Sequence, residues 1–230
     1  MNRSLDVATS FASSVLELGA GLLVRDSARQ PPLLLELYEF ESCPYCRRVR
    51  EALSVMDLDA KIFPCPPGGT RFRPEVTARG GKAQFPFLVD PNTDRWMYES
   101  SDIVRYLAST YGDGGVPLGQ RLGPLDTLRS SLSSLPRIGK VRARPSKAPE
   151  QPLELWSFEA SPFCRIVRER LSSLELPYVL HNVAKRSKKR DAFVARSGRM
   201  MVPFLVDPNT DTAMFESAEI LRYLDDSYAA

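Results

Sequence analysis

The chain has 230 residues, 43% of them hydrophobic and 26% charged, with a net charge of +3 and four cysteines. This length allows two small domains of ordinary globular composition, and the charge is too small to argue for a nucleic-acid partner. No stretch approaches the roughly 18 apolar residues of a membrane span, and scattered cysteines make no secreted disulfide framework, which points to a reducing compartment such as the cytoplasm, or to an organelle stroma or matrix if a presequence has been removed.

Residues 1–31 mix small and apolar side chains with Asp6 and Glu17, lack a basic-then-apolar signal, and read as a helical extension. "LLLELYEF" (Leu33 to Phe40) is a strand, followed by a turn at Glu41-Ser42. Cys43 then stands at an N-cap position and Pro44 at the first helical position, where proline is tolerated, with Val49, Ala52, Leu53 and Met56 following at helical spacing. "AKIFPC" is a short strand, "FRPEVTARGG" a helix and turn, and "FPFLVD" and "RWMYES" two strands joined by a "PNTD" hairpin. "SSDIVRYLASTYG" closes the unit as a helix N-capped by Ser100 or Ser101. The order β-α-β-α-β-β-α implies a mixed four-stranded sheet flanked by helices.

The same order recurs. "LELYEFESCPYCRRVREAL" (Leu35 to Leu53) matches "LELWSFEASPFCRIVRERL" (Leu153 to Leu171) without a gap, and "FPFLVDPNTDRWMYESSDIVRYL" (Phe85 to Leu107) matches "VPFLVDPNTDTAMFESAEILRYL" (Val202 to Leu224). A weaker match, "SLDVATSFASSVLEL" with "PLDTLRSSLSSLPRI", leaves open a duplicated helix before each unit. The expected division is a helical extension over 1–31, one unit over 32–112, a Gly-, Pro- and basic-rich linker over 113–151 with a short helix around Leu125 to Leu135, and a second unit over 152–230.

Cys43-Pro44-Tyr45-Cys46 carries the chemistry. A cysteine at the exposed point of a strand–turn–helix meets unpaired backbone N–H groups and the positive end of the helix dipole, which stabilise a thiolate. Arg47 and Arg48 add positive charge there, while Glu39 and Glu41 oppose it. Cys46, one turn on, is placed to close a disulfide and release a mixed-disulfide partner. Zinc ligation and an incidental pair are the alternatives: zinc needs two further ligands, and the only histidine, His181, belongs to the other copy, while the preceding strand and following helix argue against an incidental pair. In the second copy Ser161 replaces Cys43, and Cys164 is kept.

Pro86 and Pro203 begin the third strand of each unit, either as cis prolines that aim the preceding backbone outward or as trans prolines at a strand start. Glu99-Ser100 and Glu216-Ser217 open the last helices, either as a site for a carboxylate and an ammonium or simply as caps. "KRSKKR" (Lys185 to Arg190) is an anion site or a solvated loop, Cys65 a structural or a regulatory thiol, and Trp96, Tyr98 and Phe215 are expected in the core.

These residues resemble a known family. Each unit looks like the thioredoxin-like N-terminal domain of glutathione transferases, a fold that glutaredoxins share, and Cys-Pro-Tyr-Cys is similar to the glutaredoxin motif. The resemblance implies a chain of two tandem thioredoxin-like domains acting as a glutathione-dependent thiol–disulfide oxidoreductase. Glutathione would be its cofactor and protein thiols or mixed disulfides its partners. Cys43 would attack and Cys46 resolve. Tyr45, Phe85, Pro86, Glu99 and Ser100 would hold glutathione, and Ser161, Cys164, Val202, Pro203, Glu216 and Ser217 would form a degenerate second site. The lysine that often precedes the glutaredoxin motif is absent, Phe85 replaces the usual Val or Thr, and the two units contain no counterpart of the transferases' helical domain. A scaffold that binds glutathione or protein without turnover is the competing expectation, with the two units burying their flat faces on each other. Conjugation of glutathione to electrophiles and iron–sulfur bridging rank below both.

Overall fold

A computed structural model of the protein describes residues 9–10, 21–24, 28–115 and 139–230. The first unit runs β1 (Leu35–Glu39), α1 (Pro44–Val55), β2 (Ala60–Pro64), α2 (Arg73–Gly80), β3 (Phe87–Asp90), β4 (Arg95–Met97) and α3 (Ser100–Thr110). The second repeats it as β5 (Leu153–Ser157), α4 (Pro162–Ser173), β6 (Tyr178–Asn182), α5 (Arg190–Ser197), β7 (Phe204–Asp207), β8 (Thr212–Phe215) and α6 (Ser217–Tyr228). The short helix expected around Leu125 to Leu135, the duplicated helix before each unit and most of the 1–31 extension lie outside the described residues. Between β2 and α2 lie residues 65–72, and between β6 and α5 residues 183–189, so the single-residue change in repeat offset falls in this connection.

Each unit is a mixed α/β sheet in which β1 pairs parallel with β2 and antiparallel with β3, and β3 pairs antiparallel with β4. The second unit has the same pairings. Alternation along β1 divides the core. Leu35 and Leu37 face α1 and α3 (Val49, Leu53, Ile103, Leu107), and this cluster runs without a break into Leu153, Leu155, Val167, Leu171 and Ile220 of the second unit. Tyr38 points the other way, with Phe87 and Val89, under Val76 of α2, and Trp156 and Phe204 do the same under Phe193 of α5.

The two sheets do not meet face to face, as the scaffold reading supposed. Both faces of each sheet are covered by the unit's own helices, and the exposed edge is what each unit has left to satisfy. β2 and β6 pair antiparallel, giving one eight-stranded sheet in the order β4-β3-β1-β2-β6-β5-β7-β8. The register is self-complementary: Ala60 pairs with Leu180 and Ile62 with Tyr178, while Ala60 and Ile62 are themselves the repeat equivalents of Tyr178 and Leu180. The chain is therefore built like a two-fold dimer fused end to end.

Several contacts lock this arrangement. Glu175, at positive φ, accepts the backbone N–H groups of Thr70 and Arg71. Its counterpart Asp57, also at positive φ, accepts from Ser187 Oγ at 3.0 Å and pairs with Lys189, which also reaches Asp59. Asp59 meets His181 Nδ1 at 3.0 Å. The "KRSKKR" run is thus partly an interface between units, with Lys185, Arg186 and Lys188 left exposed. Residues 21–24 cross the same seam, Gly21 C=O accepting from Ser54 Oγ and Leu23 bridging to Lys185. Arg144 N–H donates to Ser173 C=O and Ser146 bridges to Ala229, while Ala143 N–H donates to Pro67 C=O and Arg71 donates to Ser146 C=O, so the C-terminal part of the expected linker lies against both units.

Three local readings are corrected. Trp96 is 49% exposed because β4 is an edge strand, and its ring covers Phe87 from outside; Tyr98 and Phe215 are half-buried. The cap of α3 is Glu99, not Ser100 or Ser101, because the chain turns at Glu99 in the left-handed region (φ 63°) and Ser100 is already helical. Cys43 is buried rather than exposed, because its sulfur turns inward onto the first turn of α1.

Candidate functional site

β1 delivers the chain into a tight turn at Glu41-Ser42, and Cys43 follows in extended conformation as the N-cap of α1. Its sulfur accepts the Cys46 N–H at 3.4 Å, taking the role a serine or threonine oxygen plays at other helix starts. This inward bond leaves Cys43 only 6% exposed, while Tyr45 is the exposed residue of the turn, at 49%. Cys46 is fully buried.

The two thiols are pushed apart in acidity. Cys43 is lowered by the hydrogen bond with the Cys46 side chain and by the N–H groups of Cys46 and Tyr45, against burial and the nearby Glu39 carboxyl. Cys46 is raised by burial and by Cys43 itself. The pair therefore holds one sulfur disposed to be thiolate and one held as thiol, the arrangement stepwise exchange requires. Cys65 and Cys164 are raised, chiefly by burial, and all four cysteines are free.

Arg47 and Arg48, which follow the motif, are directed elsewhere: Arg47 Nε lies 3.5 Å from Glu159, and Arg48 donates to Ser101 Oγ at 3.1 Å. Glu39 and Glu41 also differ from their expected shared role. Glu39 is bonded to Arg50, and burial pushes its carboxyl up to about 7 although the arginine opposes this. Glu41 is paired from both units, by Arg168 Nε at 2.9 Å and Nη2 at 3.1 Å from the second and by Arg50 Nη2 at 3.1 Å from its own.

The Phe85–Pro86 and Val202–Pro203 bonds are both cis. Phe85 is half-exposed and Pro86 buried, and the Arg73 guanidinium lies 4.8 Å over the Phe85 ring. Glu99 and Glu216 both adopt positive φ (63° and 69°) immediately before buried Ser100 and Ser217, at the N-termini of α3 and α6. Strained backbone at the same point of both units is a functional pointer. The Glu99 carboxylate is exposed and accepts from Gln84 Nε2 at 2.6 Å.

The second unit keeps this geometry with the nucleophile changed. Ser161 caps α4, its oxygen accepting the Cys164 N–H at 3.3 Å, and is 5% exposed; Phe163 takes the outward place of Tyr45. Ser10 lies against this turn, its hydroxyl donating to Pro162 C=O and its own carbonyl accepting from Arg165, both at 2.8 Å.

Between the two turns lies a buried cluster of Arg47, Arg50, Arg165 and Arg168 with Glu39, Glu41 and Glu159. Sequence reading did not find it. The signal was that Glu41 and Arg50 recur as Glu159 and Arg168, each arginine sitting among the core positions of its helix.

Residues 37–116 and 155–230 match the family described as glutathione S-transferase, N-terminal domain. The match covers most of the chain and both units, and the protein belongs to this family, a thioredoxin-like class that binds glutathione. No curated protein and no solved structure matches the chain significantly. No helix among the described residues is long and apolar enough to cross a membrane, and none of their His, Cys, Asp and Glu side chains form a group of three or more that could hold a metal ion.

Proposed function

We propose that the protein is a glutathione-dependent thiol–disulfide oxidoreductase of a reducing compartment such as the cytoplasm, with Cys43 as nucleophile and Cys46 as resolving thiol. The observation that carries this reading is the geometry of two free thiols one turn apart at one helix N-terminus, the Cys43 sulfur capping the helix by accepting the Cys46 N–H at 3.4 Å; the direction of the two acidities agrees with it. In the first step the Cys43 thiolate attacks the glutathionyl sulfur of a protein–glutathione mixed disulfide. The old S–S bond breaks, the protein thiolate leaves and takes up a proton, and Cys43 becomes glutathionylated. A second glutathione thiolate then attacks the bound glutathionyl sulfur, giving glutathione disulfide and restoring Cys43. Alternatively Cys46 loses its proton and attacks Cys43, expelling glutathione thiolate; two glutathione molecules later reduce the intramolecular disulfide and leave as glutathione disulfide.

The Phe85 backbone, beside Pro86, suits strand-like pairing with an extended thiol peptide. Glu99 and the α3 N-terminus at Ser100 suit the ammonium and carboxylate of its γ-glutamyl end, and exposed Tyr45 flanks the sulfur. Ser161, Cys164, Val202, Pro203, Glu216 and Ser217 occupy the equivalent places in a second, degenerate site.

Turnover of a glutathionylated peptide tests the reading: Cys43→Ser abolishes it, whereas Cys46→Ser retains the direct route through the second glutathione. A Cys43→Ser protein as active as the parent refutes it. The burial of Cys43 favours one competing reading, a scaffold that binds glutathione or protein without turnover. Calorimetry showing glutathione binding in a protein that lacks turnover would establish that reading instead.

A further inference from the structure

Every polar group of Glu41, two residues ahead of Cys43, is engaged, and most of the partners belong to the other unit. Its N–H donates to Ser172 Oγ at 3.4 Å. Its carboxylate takes the two-pronged bond from Arg168, and Arg50 Nη2 of its own unit lies 3.1 Å from the same carboxylate. Its carbonyl accepts from Arg50 Nη2 at 3.1 Å, and Arg50 is itself fixed by Glu159 of the second unit, through Nε at 3.1 Å. The mirror image holds at Glu159: its N–H goes to Ser54 Oγ, its carboxylate to Arg50, and its carbonyl to Arg168 Nη2 at 3.4 Å.

We propose that Arg168 is a positioning residue for the redox turn of the first unit, and that the second unit, whatever it binds, serves to hold Glu41 and hence Cys43 in register. This rests on the reading of Cys43 as nucleophile. Three features support it. The bonds reach the turn itself rather than a remote surface. Arg168 is fully buried, so its fork has no water to exchange with. The short span from Glu41 to Cys43 transmits any shift of Glu41 to the sulfur and to the N–H groups that face it, whose alignment governs a thiolate's stability. The duplication then has a mechanical reason: each half completes the other's turn, so the half that lost its nucleophile is still required.

The test is the pH profile of Cys43 alkylation by iodoacetamide in the full chain, which needs no glutathione and no turnover. Arg168→Met should raise the pH at which Cys43 becomes reactive and slow its alkylation at pH 6.5 by about tenfold, the equivalent of one pKa unit. Arg168→Lys keeps a charge but not the fork, and should recover melting temperature more than it recovers the profile. If Arg168→Met fails to fold, the paired Glu41→Gln/Arg168→Met protein removes both charges and should fold with the same slowed alkylation. A folded variant with the parental profile overturns the proposal. A shifted profile in a protein whose parent has no exchange activity upholds the positioning role while overturning the oxidoreductase reading.

Discussion

Glu39 and Ser157 stand at the same place in the two units, as the last residues of β1 and β5, and each meets an arginine of its own unit's first helix: Glu39 bonds Arg50, and Ser157 Oγ accepts from Arg168 at 3.0 Å. The buried carboxyl accompanies the dithiol, and the hydroxyl accompanies its degenerate copy. With burial lifting Glu39 to about 7 from its ordinary 4.5, the folded protein keeps a proton there that the unfolded chain gives up. This contribution to stability is complete below about pH 4.5 and is lost as the pH rises to about 7, an effect on the order of 3 kcal/mol at most. Glu39→Gln should therefore abolish that part of the decline. Relative to the parent it gains melting temperature at pH 8 compared with pH 5, and thermal melts at the two pH values check this. Removing the charge should also make Cys43 more acidic, read as faster alkylation at pH 8, where Glu39 of the parent is ionised and opposes ionisation of Cys43.

Glu159 behaves oppositely. Burial alone would raise it, but Arg168, Arg50, Arg47 and Arg165 together hold it down to about 2. Its contribution is present above about pH 4.5 and is lost as the pH falls toward 2, so the seam between units is the expected point of acid failure. At neutral pH, Glu159→Gln leaves arginines without their partner in the interior and should cost about 3–5 kcal/mol in urea unfolding. The double Glu159→Gln/Arg50→Met protein should recover part of that loss. A double-mutant cycle with no coupling would refute the cross-unit pairing.

The strand–turn–helix at Cys43, the two repeats and the mixed four-stranded sheets were legible because they depend on neighbours in sequence: alternation in "LELYEF", proline after the cap, helical spacing behind it. The joining of the sheets was not, because any half-buried strand edge reads alike until its partner is known, and nothing in "AKIFP" or "YVLHN" distinguishes an edge that faces solvent from one that meets a copy of itself. The same holds for the exposure of the turn. Local sequence places Cys43 at a helix start, but how far the capped sulfur is covered depends on packing around the turn. The buried arginines were not legible for a further reason: a charged residue is ordinarily solvated, and only the repetition of Arg50 as Arg168 hinted otherwise.

Asp90 and Asp207 anchor the "DPNTD" hairpins in the same way. Asp90 accepts the hydroxyls of Tyr106 and Tyr111 at 2.5 Å and the N–H and side chain of Asn92, which in turn clasps Leu33. Asp207 does so with Tyr223, Tyr228 and Asn209, which clasps Gln151. Asp90→Ala and Asp207→Ala should each cost about 2–4 kcal/mol in chemical denaturation, as the buried Tyr111 and Tyr228 hydroxyls and the Asn92 and Asn209 backbone N–H groups lose their carboxylate acceptor. The two networks share no residue, so the double variant should show the sum of the single losses within about 0.5 kcal/mol. Unequal single losses would mean the repeat is not energetically symmetric.

Ser161→Cys recreates a two-thiol turn on a framework that already caps its helix in the same manner, with the oxygen of Ser161 receiving the Cys164 N–H as the sulfur of Cys43 receives that of Cys46. Cys164 is raised by burial, as Cys46 is. The new thiol would face Ser157 where Cys43 faces Glu39, so nothing at that position opposes its ionisation. In a Cys43→Ser background, the thiol introduced by Ser161→Cys should therefore alkylate at pH 6.5 at least as fast as Cys43 does in the parent. If the second unit retains a glutathione site, the same protein should also recover exchange with a glutathionylated peptide. Fast alkylation without exchange would place the deficiency of the second unit at Val202, Pro203, Glu216 and Ser217 rather than at its nucleophile. Slow alkylation would show that contacts such as Ser10 on Pro162, and not the missing sulfur alone, keep this turn inactive.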